Sequence, residues 1–252
     1  MIIQSLIAEA LDRAKGEKVQ QITIGLGYVA LSLTDGRTGL AYVYRNYLGP
    51  TCGVLGDAGK LELQPLAEII SGAESDNLLT AALGMAAINA LADPEEIAVF
   101  PEKEEAVSTF FTGQQVGMIG YFAPLVARAK AAGATVYAFD SQRAELPEVY
   151  PDSEQEQHLP KCDKLVLSGT TLINKSLEQI LGWVKPGAEI ILLGYSTPLY
   201  PQIFAKRGIS LLAGSFVPTN LQGTVHKVVA QAGGGKQLSK VVNKVNLWLR
   251  DS

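Results

Sequence analysis

Gln115-Val116-Gly117-Met118-Ile119-Gly120-Tyr121, then Ala123 to Ala132 closed by Gly133, then Thr135 to Phe139 ending at Asp140, is the stretch that decides the fold. The first and last runs are short and almost wholly apolar, as strands covered on both faces are. The middle run has helical spacing and a glycine stop. The same rhythm returns downstream. Lys164 to Leu167, Glu189 to Leu193 and Ile209 to Ala213 read as strands, with helices over about 176–184 and 202–207. Helices are also expected over 221–232 and 236–250. Strands alternating with helices of roughly ten residues predict a parallel sheet joined by right-handed crossovers.

The first ~95 residues have another rhythm. Residues 2–15 place Ile2, Ile3, Leu6, Ile7, Ala10, Leu11 and Ala14 at helical spacing. Residues 19–33 look extended, and Asp35-Gly36 marks a hairpin turn before a strand from Gly39 to Tyr47. Helices follow over 65–71 and 75–91, the second rich in alanine. The expected order is α-β-β-α-α, a small α+β unit with an antiparallel sheet. The chain is therefore expected to be α/β, with a small α+β domain over residues 1–100 and a Rossmann-like domain with a parallel sheet over 101–252. The boundary falls in the acidic stretch around Pro101-Glu102-Lys103-Glu104-Glu105.

Bulk properties narrow the function classes. With 252 residues, 47% hydrophobic and 18% charged, the chain can bury a core without staples. Lysine and arginine number 21 against 25 acidic residues, a net charge of −4, which disfavours nucleic acid or an anionic membrane as the main partner. Met1 to Ser5 lack the basic start of a signal peptide, and no apolar run approaches the ~18 residues of a membrane span. Only Cys52 and Cys162 are present, far apart, which suits reduced thiols in the cytoplasm.

Ligands of open parallel sheets bind beyond the carboxyl ends of the strands. Gly117 and Gly120 lie at the first such end, in an incomplete Gly-x-Gly-x-x-Gly pattern, where free main-chain N–H groups and a helix start would suit an anion. Asp140, about 20 residues on, stands where a dinucleotide fold keeps the acid for a ribose hydroxyl. It is equally placed to cap the helix that begins at Ser141. Ser168-Gly169-Thr170-Thr171-Leu172-Ile173-Asn174 sets hydroxyls and a carboxamide at the next strand end, suited to polar ligand edges or to helix capping. Gly194-Tyr195-Ser196-Thr197-Pro198-Leu199-Tyr200-Pro201 is another polar turn.

Metal-ligand spacing is poor. His158 reads as a solvated loop residue and His226 as a helix surface residue. Cys162 reads as a buried structural thiol. Cys52, in the glycine-rich loop from Leu48 to Gly59, is the weak candidate for metal binding. Gly233-Gly234-Gly235-Lys236 is followed by glutamine and preceded by no strand, so it is not a phosphate loop.

In their order, Val116 to Phe122, Ser168 to Asn174 and Gly194 to Pro201 resemble the heavy-metal chelation family. That family pairs an enolase N-terminal-like domain with a Rossmann-like domain. Ile24 to Tyr28, Asp35-Gly36 and Ala86 to Leu91 extend the resemblance over nearly the whole chain. The resemblance implies an interdomain pocket formed by Gly117, Gly120, Thr170, Thr171, Asn174, Gly194, Ser196 and Pro198, with Asn89 from the first domain. Tyr195 departs from the family's Gly-Pro-Ser at this turn. Two cysteines, two histidines and three methionines, none clustered, make a protein-only chelate of a soft metal a poor fit.

Two functions compete. One is a binding protein for a small polar or metal-associated ligand, active in metal handling. The other is an enzyme with a nucleotide-like cofactor in the crevice. A module with an empty crevice is a third reading. The sequence names no cofactor and leaves a homo-oligomer open.

Overall fold

The computed structural model describes residues 1–50, 53–98, 111 and 114–249. Helix α1 (Ile2–Arg13) buries Ile2, Ile3, Leu6 and Ala10, the single stripe its spacing predicts. Strands β1 (Val19–Ile24), β2 (Tyr28–Leu33) and β3 (Thr38–Tyr42) form an antiparallel sheet in that order. The expected extended run 19–33 is thus two strands, reversing at Gly25-Leu26-Gly27, where the Gly25 N–H donates to the Tyr28 carbonyl at 2.8 Å. Asp35-Gly36 makes the expected turn. Gly36 has φ +91°, and the Leu33 N–H donates to the Arg37 carbonyl at 2.9 Å.

Helices α2 (Leu66–Ser71), α3 (Leu78–Ala90) and α4 (Pro94–Ala98) complete the first half. The side chain of Asn77 caps α3, accepting from the N–H groups of Leu79 and Thr80. The helix lies directly on the sheet. A Cβ at Gly39 would stand 2.0 Å from the Ala86 carbonyl oxygen, so only glycine allows that approach.

The second half runs β4 (Gln115–Ile119), α5 (Ala123–Ala131), β5 (Thr135–Phe139), β6 (Val149–Tyr150), α6 (Gln155–His158), β7 (Lys164–Ser168), α7 (Thr170–Ile173) and α8 (Leu177–Trp183). It continues with β8 (Glu189–Leu193), α9 (Pro201–Ala205), β9 (Leu211–Phe216), α10 (Gln222–Ala230), α11 (Gly235–Leu238) and β10 (Asn243–Trp248). Its seven strands lie in the order β10-β9-β8-β7-β4-β5-β6. All neighbours are parallel except β9 and β10. The α/β class expected from the sequence is what the chain forms.

One element is corrected. The helix expected over 236–250 is the short α11 followed by β10, an antiparallel edge strand. Asn243 and Lys244 at its start are exposed, and Val245 to Trp248 are half-buried or buried against the sheet edge. Val241, Val242 and Val245 favour extended backbone.

A second correction concerns histidine. His226 is buried, not at the surface, and joins α10 to the small sheet. Its Nε2 lies 2.7 Å from Ser32 Oγ and its Nδ1 2.7 Å from Thr23 Oγ1. The Thr38 hydroxyl donates to the Gly36 carbonyl and lies 2.6 Å from Ser32 Oγ. Ser32 therefore donates to Thr38 and accepts from the ring. Nε2 carries the proton, and Nδ1 accepts from Thr23. His158 is likewise not a solvated residue. Its ring packs 4.5 Å from that of Tyr137 and 5.0 Å from that of Tyr150.

The largest of three apolar clusters passes through both halves, including Leu6, Ile88, Leu167 and Leu199. At its back the buried Tyr200 donates its hydroxyl to the Ile88 carbonyl at 2.9 Å. The Arg13 guanidinium lies 4.4 Å over the same ring. Among the described residues no helix is long and apolar enough to cross a membrane.

Candidate functional site

The chain leaves β4 toward β5 and β6, then returns to lay β7, β8 and β9 on the other side. The gap between β4 and β7 is the topological switch point, where neighbouring turns diverge and leave a crevice. A cleft of about 1410 Å³ opens there, between the carboxyl edge of the large sheet and the small sheet. Small-molecule pockets commonly measure ~300–1,000 Å³, so one small ligand would fill only part of it.

The large-sheet wall is made of turns. Gly120 has φ +93°, a conformation that favours glycine, and its N–H donates to the Phe139 carbonyl at 2.8 Å. Asp140 sits across from it. Its Oδ2 accepts from the Tyr121 N–H at 2.9 Å, and its Oδ1 accepts from the Gln142 N–H at 3.0 Å. The carboxylate thus caps the following turn and also ties down the glycine turn. After β7, the Thr170 hydroxyl donates to Ser168 Oγ at 2.7 Å, and the Thr171 hydroxyl donates to the Ser168 carbonyl at 2.7 Å. Asn174 Oδ1 accepts from the N–H and hydroxyl of Ser176. After β8, Gly194 takes φ +118°.

The small-sheet wall is a row of tyrosines. Tyr195, Tyr28, Tyr42, Tyr44 and Tyr47 meet in sequence with ring centroids 5.5, 5.8, 5.4 and 5.8 Å apart, each pair nearly perpendicular. Edge-to-face contacts of this kind hold rings in place. Three of them also reach across to the large sheet. The Tyr42 hydroxyl donates to Gln142 Oε1 at 3.1 Å, and the Tyr44 hydroxyl donates to the Thr170 carbonyl at 3.3 Å. Tyr47 Oη lies 2.9 Å from Ser141 Oγ. Burial pushes the Tyr44 phenol up to about 12, and raises Tyr28 and Tyr195 too, so all three stay protonated at neutral pH.

Gly120, Asp140, Thr170, Thr171, Asn174, Gly194 and Ser196 line the cleft together. Ser196 also accepts from the Tyr42 N–H at 2.8 Å, binding the two walls. The other sequence candidates stand behind the lining. Gly117 is inside β4 rather than in the turn. A Cβ there would meet the Leu159 and Leu165 side chains at 2.8 Å, so packing accounts for the glycine. Thr197 and Pro198 are buried behind the Gly194 turn. The close approach of Thr197 keeps position 169 a glycine, since a Cβ there would lie 2.6 Å from the Thr197 nitrogen. Asn89 donates to the carbonyls of Leu40 and Tyr195, at 2.7 and 3.4 Å, and links the two walls from beneath. Cys52 lies outside the described residues.

Sequence reasoning missed the tyrosine row. A signal was present. Counting outward from the Asp35-Gly36 turn pairs Tyr28 with Tyr42, the register observed. Tyr44, Tyr47 and Tyr195 join only through the tertiary fold.

The described cleft is lined by phenol, hydroxyl, carboxamide and carboxylate oxygens, with two arginines and without thiol or imidazole. Among the described residues no three His, Cys, Asp or Glu side chains gather as a metal cage. Cys162 is buried, and burial holds its thiol up at about 11, in the form that does not bind metals. This donor set does not fit a soft heavy metal held by the protein alone.

Fold and cleft define an α/β protein whose open parallel sheet carries a crevice at its switch point, roofed by a small antiparallel sheet. The chain belongs to the family described as "Putative heavy-metal chelation", whose model matches residues 105–247, and a second family model under the same description matches residues 7–92. A crystal structure of a protein of unknown function from Pyrococcus horikoshii superposes with a TM-score of 0.82 at 22% identity, covering 98% of this chain and 100% of that one. Another, from Desulfitobacterium hafniense, gives 0.75 at 22% identity over 97% and 98%. At these identities the likeness shows the fold alone. An uncharacterized protein of Methanocaldococcus jannaschii is 29% identical over 154 residues. That match spans 60% of this chain and 60% of the relative's length.

Proposed function

We propose that the protein binds a small polar organic ligand in the cleft between residues 1–100 and 101–252, and serves metal handling in the cytoplasm through that ligand. The observation that carries this reading is the cleft itself. Polar turns at a switch point face a fixed row of five tyrosines, and an unliganded structural module has no need of either. The family description supports the link to metals. The oxygen-rich lining favours a metal that arrives already complexed, or a hard cation, over a thiolate site. In this reading Gly120, Asp140, Thr170, Thr171, Asn174, Gly194 and Ser196 contact the ligand. Gly117, Thr197, Pro198 and Asn89 shape the turns from behind.

Protein purified without chelator and examined by native mass spectrometry with elemental analysis tests this. The expected result is a bound organic species, with any metal in proportion to it, and its loss in Tyr42→Ala. Metal bound in fixed proportion without an organic partner, and unchanged by Tyr42→Ala, would overturn the reading.

A further inference from the structure

The Gly120 turn lacks what a dinucleotide site needs. Of the main-chain donors that would cradle a pyrophosphate, the Gly120 N–H is spent on the Phe139 carbonyl and the Tyr121 N–H on Asp140. Pro124, in the first turn of α5, has no N–H to offer. The acid that a dinucleotide fold directs at a ribose is here turned onto the main chain, with both oxygens engaged. A carboxylate therefore sits at the turn as a built-in anion, and an incoming phosphate would meet its charge and would lack the Gly120 and Tyr121 donors.

The rest of the cleft has the same sign. Its described lining holds two arginines against five carboxylates, an excess of three negative charges. The opposite wall carries Tyr28, Tyr42, Tyr44 and Tyr47, met at one end by Tyr195 of the Gly194 turn, and aromatic rings attract cations. A negative rim, an aromatic wall and an anion fixed at the switch point are complementary to one charge type.

We infer that the cleft receives a small organic cation, an ammonium-bearing molecule, and that Asp140 excludes nucleotides and other phosphate esters from it. This rests on the reading of the cleft as the ligand site. It replaces the nucleotide-like cofactor with a ligand of opposite charge.

Calorimetric titration of the full chain tests it with three probes: benzyltrimethylammonium, its uncharged counterpart benzyl alcohol, and ADP. The cation binds at least about tenfold more tightly than the alcohol, and ADP gives no heat. Asp140→Asn keeps a side chain that can cap the turn, weakens the cation about tenfold and admits ADP. Should that variant misfold by circular dichroism, Glu145→Gln with Glu156→Gln at the exposed rim serves instead. It weakens the cation about threefold and flattens its salt dependence. ADP binding to the unaltered protein, or equal affinity for cation and alcohol, overturns the inference. If that binding is still lost in Tyr42→Ala, the cleft remains the ligand site and only its charge preference was wrong. If the cation binds but ignores Tyr42→Ala and Asp140→Asn alike, both readings fall.

Discussion

The two walls of the cleft are built in opposite ways. The large-sheet wall is main chain, made of turns at Gly120, Gly169 and Gly194 whose shape depends on having no side chain. The small-sheet wall is side chain, with tyrosines from β2, β3 and residues 44–47 locked edge to face and met at one end by Tyr195 of the Gly194 turn. A wall of turns is specified locally and tolerates little substitution. A wall of rings is specified by strand register and by the contact between the two sheets, and it can lose one hydroxyl while keeping its shape.

The contrast can be broken hardest from below. Gly39→Val forces α3 away from β3, where the added atoms would overlap the Ala86 carbonyl. A loss of about 3 kcal/mol in urea unfolding is expected. A loss below about 1 kcal/mol would show that the helix can retreat, and that the ring wall is not fixed by this contact.

Next comes the join between α10 and the small sheet. His226→Ala leaves Ser32 and Thr23 without their ring partner and costs about 1–3 kcal/mol. Burial lowers the folded-state pKa of His226 below the ordinary imidazole value. The unfolded chain therefore takes up its proton first as pH falls. The contribution of this residue is complete above about pH 6.5 and declines as pH drops from there toward the lowered folded-state value. Urea midpoints at about pH 7.5 and about pH 5.5 check this, with the difference shrinking in His226→Gln. An equal pH response in both proteins would rule His226 out as its source.

The turn wall gives a smaller effect. Gly120→Ala must hold φ near +93° and is expected to lose about 1–2 kcal/mol. The smallest change is in the ring wall. Tyr42→Phe removes one hydrogen bond to Gln142 and costs about 0.5–1.5 kcal/mol. If Tyr42→Phe proves more damaging than Gly120→Ala, the ranking of the two walls is reversed.

The same contrast separates what the sequence revealed from what it hid. The strands from β4 to β9, apart from the two-residue β6, announce themselves as apolar runs between helices, and the crevice follows from their order. The turn residues that line it lie next to those strands and were found with them. Gly117 was misplaced because a glycine two residues before a strand end looks like part of the turn, whereas Leu159 and Leu165 explain it. His226 beside Lys227 reads as surface until the hydroxyls of β1 and β2 are brought over it. β10 reads as helix because 236–250 mixes lysines and apolar residues, and its pairing with β9 is a long-range choice. The tyrosine row is divided among four segments, so no local window contains it.

Tyr200 at the back of the molecule has a mechanical consequence. Its buried hydroxyl on Ile88 and the Arg13 guanidinium over its ring tie α1, α3 and α9 at one point far from the cleft mouth. The bonds at the mouth, such as Tyr47 to Ser141, are exposed, and water can replace them. The rear contact, sealed from water, is therefore the more costly of the two to break, and the mouth is the seam that yields first under load.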